Sequence, residues 1–169
     1  MGDAESHSIS SGLLEFIERL IPATSTILEL GSGYGTQKLA ARFRMISIEH
    51  DARWVGQAPS LYIHAPITPF KKPCAVFPDD TGWYDRDVLR EVLPAYSYDL
   101  LLVDGPPNFI GRGGVYKYKD LFNLNVPMIF DDAHRPRVLQ ILQRFSAHLR
   151  RPYTVHGCWD DRHFGVILP

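Results

Sequence analysis

The stretch ILELGSGYGT, residues 27–36, decides how this chain folds. An apolar β-type run carrying one acid, Glu29, opens directly into glycines at positions 31, 33 and 35. A strand that ends in such a turn brings backbone amides against a bound molecule with no Cβ in the way, the geometry that a nucleotide-like ligand uses. About one supersecondary unit downstream, MISIEHD, residues 45–51, reads as a second buried strand that delivers Glu49 at its end, followed by His50. A carboxylate there can accept both hydroxyls of a ribose. Alone, GSGYG is also a plain tight turn between strand and helix; the flanking acids give it chemical meaning.

Working outward, apolar positions at Leu13, Leu14, Phe16, Ile17, Leu20 and Ile21 form a helical stripe over roughly residues 8–20, with serines before it and Pro22 stopping it. Strands are expected at 26–30, 45–49, 61–64, 99–104, 127–131, 153–158 and 164–168. They alternate with helices or long crossovers, which predicts a mostly parallel α/β sheet covered on both faces. Only WDDRH separates the last two, so they should form an antiparallel hairpin. Residues 1–22 would be a lead-in helix and 25–169 a single core. Two stretches break the pattern: 65–94, rich in proline, and 105–114, with two prolines and four glycines. Each follows the C-terminal end of a strand, where open α/β sheets bind ligands, and each is expected to be a functional loop.

Composition narrows the function. The 169 residues, 45% of them hydrophobic, suit one domain. A net charge of −1 and a pI near 6.6 lack the basic footprint of a broad nucleic-acid surface. Two cysteines, Cys74 and Cys158, are too few for a disulfide framework and lack metal spacing. No basic-then-apolar leader or membrane-length apolar run is visible, so a cytoplasmic location is expected.

The glycine spacing is GxGxG, unlike the GxGxxG that seats a dinucleotide pyrophosphate on a helix N-terminus. With Glu29 and Glu49, the chain resembles the class I S-adenosylmethionine-dependent methyltransferases. The resemblance implies a Rossmann-like seven-stranded sheet ending in an antiparallel hairpin. It also implies cofactor contacts from Glu29, Gly31, Ser32, Gly33, Gly35 and Thr36, from Glu49 and His50, from His64 and Ala65 after the third strand, and from Asp104. An acid near the cationic ammonium and sulfonium is favourable by charge complementarity.

A second constellation is acidic. YDLLLVDGPP (98–107) reads as a buried strand ending in Asp104, and MIFDDAHR (128–135) as its neighbour ending in Asp131 and Asp132. Converging carboxylates repel one another, and raised pKa values or a hard cation relieve the repulsion. The arrangement is similar to that of metal-dependent O-methyltransferases acting on catechols and antibiotic sugars, which implies Mg or Mn held by Asp104, Asp131 and Asp132. The competing reading has Asp131 and Asp132 capping the helix near Pro136 and Asp104 fixing its loop. HAP, WY, VDGPP, GR and DDAHR, over roughly residues 25–145, are also similar to small bacterial class I enzymes and to plant glucuronoxylan 4-O-methyltransferases. Two departures count: Pro107 stands where the catechol-type enzymes have a lysine base, and Asp131 where the plant enzymes have a histidine.

Without that lysine, the base is expected to be His134 or Asp104. Arg135 and Arg112 could grip an acceptor's carboxylate or phosphate. Trp83, Tyr84, Phe109, Tyr116 and Tyr118 could stack on a ring, or be ordinary packing. The expected activity is methyl transfer to an oxygen of a small molecule or glycan, with self-association open. The rivals are a nucleic-acid or amine N-methyltransferase, weakened because Gly105 separates Asp104 from the prolines, and a catalytically silent adenosylmethionine-binding partner subunit.

Overall fold

The computed structural model describes residues 9–72, 74–157 and 162–169. Ser10 opens the first helix, α1 (Ser11–Leu20): its hydroxyl accepts the Leu13 amide at 3.1 Å, and the helix buries Leu13 and Ile17. Then come β1 (Thr26–Leu30), α2 (Tyr34–Ala40), β2 (Arg44–Glu49), β3 (Leu61–His64), β4 (Ile67–Pro69), β5 (Gly82–Tyr84), α3 (Arg86–Val92), β6 (Leu100–Val103), α4 (Gly114–Lys117), β7 (Met128–Phe130), α5 (Pro136–Leu149), β8 (Tyr153–Gly157) and β9 (His163–Ile167).

Seven strands make one sheet in the order β3-β2-β1-β6-β7-β9-β8, as the resemblance implied. The first five run parallel, while β9 pairs antiparallel with both β7 and β8. All seven expected strands form to within a residue or two. Cys158, which ends the expected sixth strand, and residues 159–161 of the WDDRH turn lie outside the described residues.

Side-chain alternation splits the core into two layers. Leu28, Leu30, Leu101 and Val103 face one side and pack with Leu89 of α3 and Ile141, Leu142 and Phe145 of α5. Ile27, Leu100 and Leu102 face the other and pack with Leu13 and Ile17 of α1 and Leu39 of α2. Glu29 falls on this second side and is buried.

The 65–94 stretch corrects the sequence expectation. It is not only loop: β4 and β5 form an antiparallel ribbon, and α3 follows, capped by Asp85, whose carboxylate accepts the Asp87 and Val88 amides at 2.9 and 3.2 Å. The Asp85 cap was readable, but the five prolines outweighed it.

Connections from β1 run outward through β2 to β3, and the chain then crosses back to β6 on the other side of β1. This reversal opens a crevice at the C-terminal ends of β1 and β6. Gly31 and Gly105 meet there. Gly31 has φ +94°, and a Cβ built on it would lie 3.0 Å from the Gly105 amide nitrogen. Gly31→Ala should therefore cost roughly 1–3 kcal/mol through backbone strain and collision. Urea denaturation checks this, and an alanine variant of wild-type stability would refute the tight junction.

Candidate functional site

The turn after β1 is tied to the end of β2. The Ser32 amide donates to Glu49 Oε2 at 2.8 Å, and the Gly33 amide donates to Thr36 Oγ1 at 3.0 Å. Glu49 Oε1 accepts the Asp51 amide at 2.7 Å, and His50 Nδ1 lies 2.7 Å from the same oxygen, outside hydrogen-bond alignment. An ionised carboxylate offers about four lone-pair sites. Glu49 is thus oriented by protein donors yet keeps capacity for further hydroxyls.

Beneath the turn, Glu29 Oε2 accepts Thr36 Oγ1 at 2.8 Å and Ser47 Oγ at 3.0 Å. Burial pushes its pKa up to about 8 against the pull of the Thr36 hydroxyl, with the Asp104 charge adding to the rise. The side chain is therefore mostly protonated at neutral pH, and the charge assigned to it from sequence needs a cation to draw it out.

The loops after β6 and β7 form the opposite wall. Arg112, nearly fully buried, donates through Nε to the Pro106 carbonyl at 3.3 Å and through one terminal nitrogen to the Asp131 carbonyl at 3.0 Å. Its other terminal nitrogen reaches Asp132 Oδ2 at 3.0 Å and Asp104 Oδ1 at 3.5 Å. Arg135 also pairs with Asp132 Oδ2 at 3.0 Å. Asp131 turns one carboxylate oxygen onto the Asp132 amide at 2.8 Å, and Asp132 sits in the left-handed region at φ 62°. Burial pushes Asp131 up to about 7, helped by the charges of Asp104 and Asp132. Burial also raises Asp104, with Arg112 opposing.

These contacts bear on two sequence expectations. Neither Asp131 nor Asp132 caps α5, whose first turn has Arg135 at its cap position and no side-chain hydrogen bond there. Nor do the three acids stand as a metal cage. Two guanidinium groups already hold Asp132, and among the described residues no three His, Cys, Asp or Glu side chains are grouped to take an ion. The donor set fits arginine rather than Mg or Mn.

Between the two walls lies a cavity of about 550 Å³. Of the expected site residues, Gly31, Ser32, Gly33, Glu49 and His50 line one side, and Asp104, Asp131, Asp132 and Arg135 the other. Glu29, Gly35, Thr36, His64 and Ala65 do not line it. Gly35 packs on Ile9, Thr36 supports the turn, and His64 Nε2 meets the His50 carbonyl at 3.2 Å. His134 is also outside; it is exposed, and its Nδ1 accepts the His163 amide at 3.4 Å. Of the five aromatics, Trp83 is buried away from the cavity, Tyr116 packs on Phe145 and Tyr118 under Arg86. Tyr84 is in the wall, and Phe109, 81% exposed, stands at the mouth.

Sequence reading missed Asp80. Its carboxylate accepts the Gly113 amide at 2.5 Å and pairs with Arg137, and it leaves no space for a side chain at Gly111, where φ is +97°. Asp80 thereby anchors the glycine loop that presents Arg112. Its place in the proline-rich stretch gave no local signal. Arg53, Trp54, Asn108 and Arg162 also line the cavity without having been singled out.

No protein-family model matches the chain, and none of the curated proteins searched matches its sequence. Solved structures do. A methyltransferase-like protein of Silicibacter pomeroyi is 20% identical, with a TM-score of 0.56 over 95% of this chain and 88% of that one. A caffeoyl-CoA O-methyltransferase-like protein of Staphylococcus aureus is 14% identical, with a TM-score of 0.55 over 95% and 85%. MycE of the mycinamycin biosynthetic pathway, solved with Mg, S-adenosylhomocysteine and mycinamycin VI, is 12% identical, with a TM-score of 0.53 over 92% of this chain and 45% of MycE. The chain has the fold of the class I S-adenosylmethionine-dependent methyltransferases. Among the described residues, no helix is long and apolar enough to cross a membrane.

The raised Glu29 pKa has a stability consequence. The folded chain keeps a proton that the unfolded chain loses near pH 4.5, so this group's contribution is full below that pH and declines up to about 8. Glu29→Gln keeps an acceptor for Thr36 and Ser47 without the titration. Its melting temperature relative to wild type should rise from pH 5 to pH 8 and then level off. A pH-independent difference would refute the buried proton.

Proposed function

We propose that this chain is an S-adenosylmethionine-dependent methyltransferase acting on an oxygen of a small molecule or glycan. The observation that carries the reading is the cavity itself, with a glycine turn and an oriented Glu49 on one wall and a carboxylate and arginine cluster on the other. Its volume falls within the range of small-molecule sites. Adenosylmethionine, when bound, supplies an electrophilic methyl group. Glu49 would accept the ribose hydroxyls, and the side-chain-free turn would let the amino-acid end pass close to the backbone.

The acceptor would sit against Asp104 and Asp131, with Phe109 at the mouth offering a face for a ring. Asp131, poised near 7, is better placed than His134 to take the acceptor's hydroxyl proton, since it lines the cavity and is partly ionised at neutrality. Arg112 would hold the two acidic loops at fixed spacing, and positioning of this kind carries much of the barrier reduction in a displacement. Arg135, part-exposed, has room to meet an anionic acceptor group.

Calorimetry should give adenosylmethionine binding in the micromolar range, roughly −7 to −8 kcal/mol. Glu49→Ala should weaken it by about 1.5–3 kcal/mol, the value of hydrogen bonds to a charged acceptor. Binding of NADH but not adenosylmethionine would overturn the cofactor assignment. Because guanidinium groups occupy the acids, methyl transfer should persist in EDTA. Loss of turnover that Mg or Mn restores would show instead that a cation displaces the arginines from Asp132.

A further inference from the structure

Tyr84 stands at the end of β5, opposite Ile67 of β4, and the backbone beyond it is fixed by the Asp85 amide donating to the Pro66 carbonyl at 2.8 Å. The ring is fully buried in the cavity wall, edge-on to Trp83 at 5.0 Å and to His50 at 6.2 Å. Its hydroxyl reaches the Gly31–Gly105 junction: a Cβ built on Gly105 would lie 2.5 Å from it and 2.8 Å from the Gly31 Cα. Among the described residues that hydroxyl has no hydrogen-bond partner. An unpaired buried hydroxyl is costly, and phenylalanine would fill the same space without that cost. The polar atom therefore calls for a partner supplied from the cavity.

We propose that Tyr84 is a cofactor-binding residue whose phenol donates a hydrogen bond to a ribose hydroxyl oxygen of the nucleoside held by Glu49. The inference rests on the cavity being an adenosylmethionine site. The chemistry is complementary: a ribose diol that gives its protons to Glu49 keeps lone pairs on both oxygens, and the phenol is a donor beside them. Burial and the nearby Glu49 charge hold the phenol protonated, so it acts as a donor and not as a base. His50 places it at the nucleoside end, because that ring follows Glu49 in sequence and touches both groups.

Calorimetry on wild type and Tyr84→Phe tests this with S-adenosylhomocysteine, 5′-methylthioadenosine, and the 2′-deoxy and 3′-deoxy forms of the latter. The variant should bind the first two about 5- to 30-fold more weakly, as for loss of one hydrogen bond. The ligand-free melting temperature should stay equal or rise, and the penalty should vanish for one of the two deoxy forms. Equal binding by wild type and variant would overturn the inference, with water satisfying the phenol. A penalty confined to S-adenosylhomocysteine would overturn it in favour of the amino-acid end, and one that persists with both deoxy forms would remove the ribose as partner. Failure of the wild type to bind either parent ligand would instead bring down the cofactor reading on which the inference rests.

Discussion

The close approach of two backbones at Gly31 and Gly105 is the constraint on which the rest of the site depends. β1 and β6 are neighbours at the point where the strand order reverses, so their exits must diverge, and the space between the departing loops becomes the cavity. A side chain at either glycine would wedge the exits apart or fill that space. With both absent, the turn after β1 folds down far enough for the Ser32 amide to orient Glu49, and Tyr84 brings its hydroxyl to the junction.

The opposite wall solves an electrostatic problem. Asp104 and the Asp131–Asp132 pair leave adjacent strands at the same edge, and three ionised carboxylates there would repel. Arg112 answers by crossing from the glycine loop to the carbonyls and carboxylates of both exits, and Asp80 holds the loop that delivers it. Buried ion pairs of this kind add little net stability relative to apolar packing, while removing one partner costs about 3–5 kcal/mol. Their value is positional. The left-handed backbone of Asp132 fits the same view, since strain of this sort persists where surrounding contacts fix it.

The fold was largely legible because its signals are local. LLLV of β6 is buried along its whole length and reads as a continuous apolar run, and the glycines after Leu30 announce the turn. Glu49 was legible for the same reason, as an acid at a strand end. The partners of the acids were not. Arg112 is separated from Asp132 by 20 positions and Arg137 from Asp80 by 57, and no local periodicity reports such pairs. The spacing of Asp104, Asp131 and Asp132 suggested a cation, and nothing in it pointed to the two guanidinium groups that pair with Asp132. His134 does not line the cavity, although its neighbour Arg135 does; its ring turns outward and meets His163.

Proton occupancy changes what this cavity offers a ligand. Counted from sequence, Glu29, Glu49, Asp104, Asp131 and Asp132 make a strongly acidic cluster, yet burial holds Glu29 and Asp131 near or above neutrality. A cationic ligand entering the cavity would favour the ionised form of Asp131, which lines it, and at longer range that of Glu29 beneath the turn, and so expel protons, whereas a neutral ligand would not. Binding of a sulfonium should therefore strengthen as pH rises toward 8, while the thioether left after methyl loss lacks the charge that drives this coupling. The same buried acids that lower the stability of the empty fold with rising pH would then favour the charged form of the cofactor over its spent form.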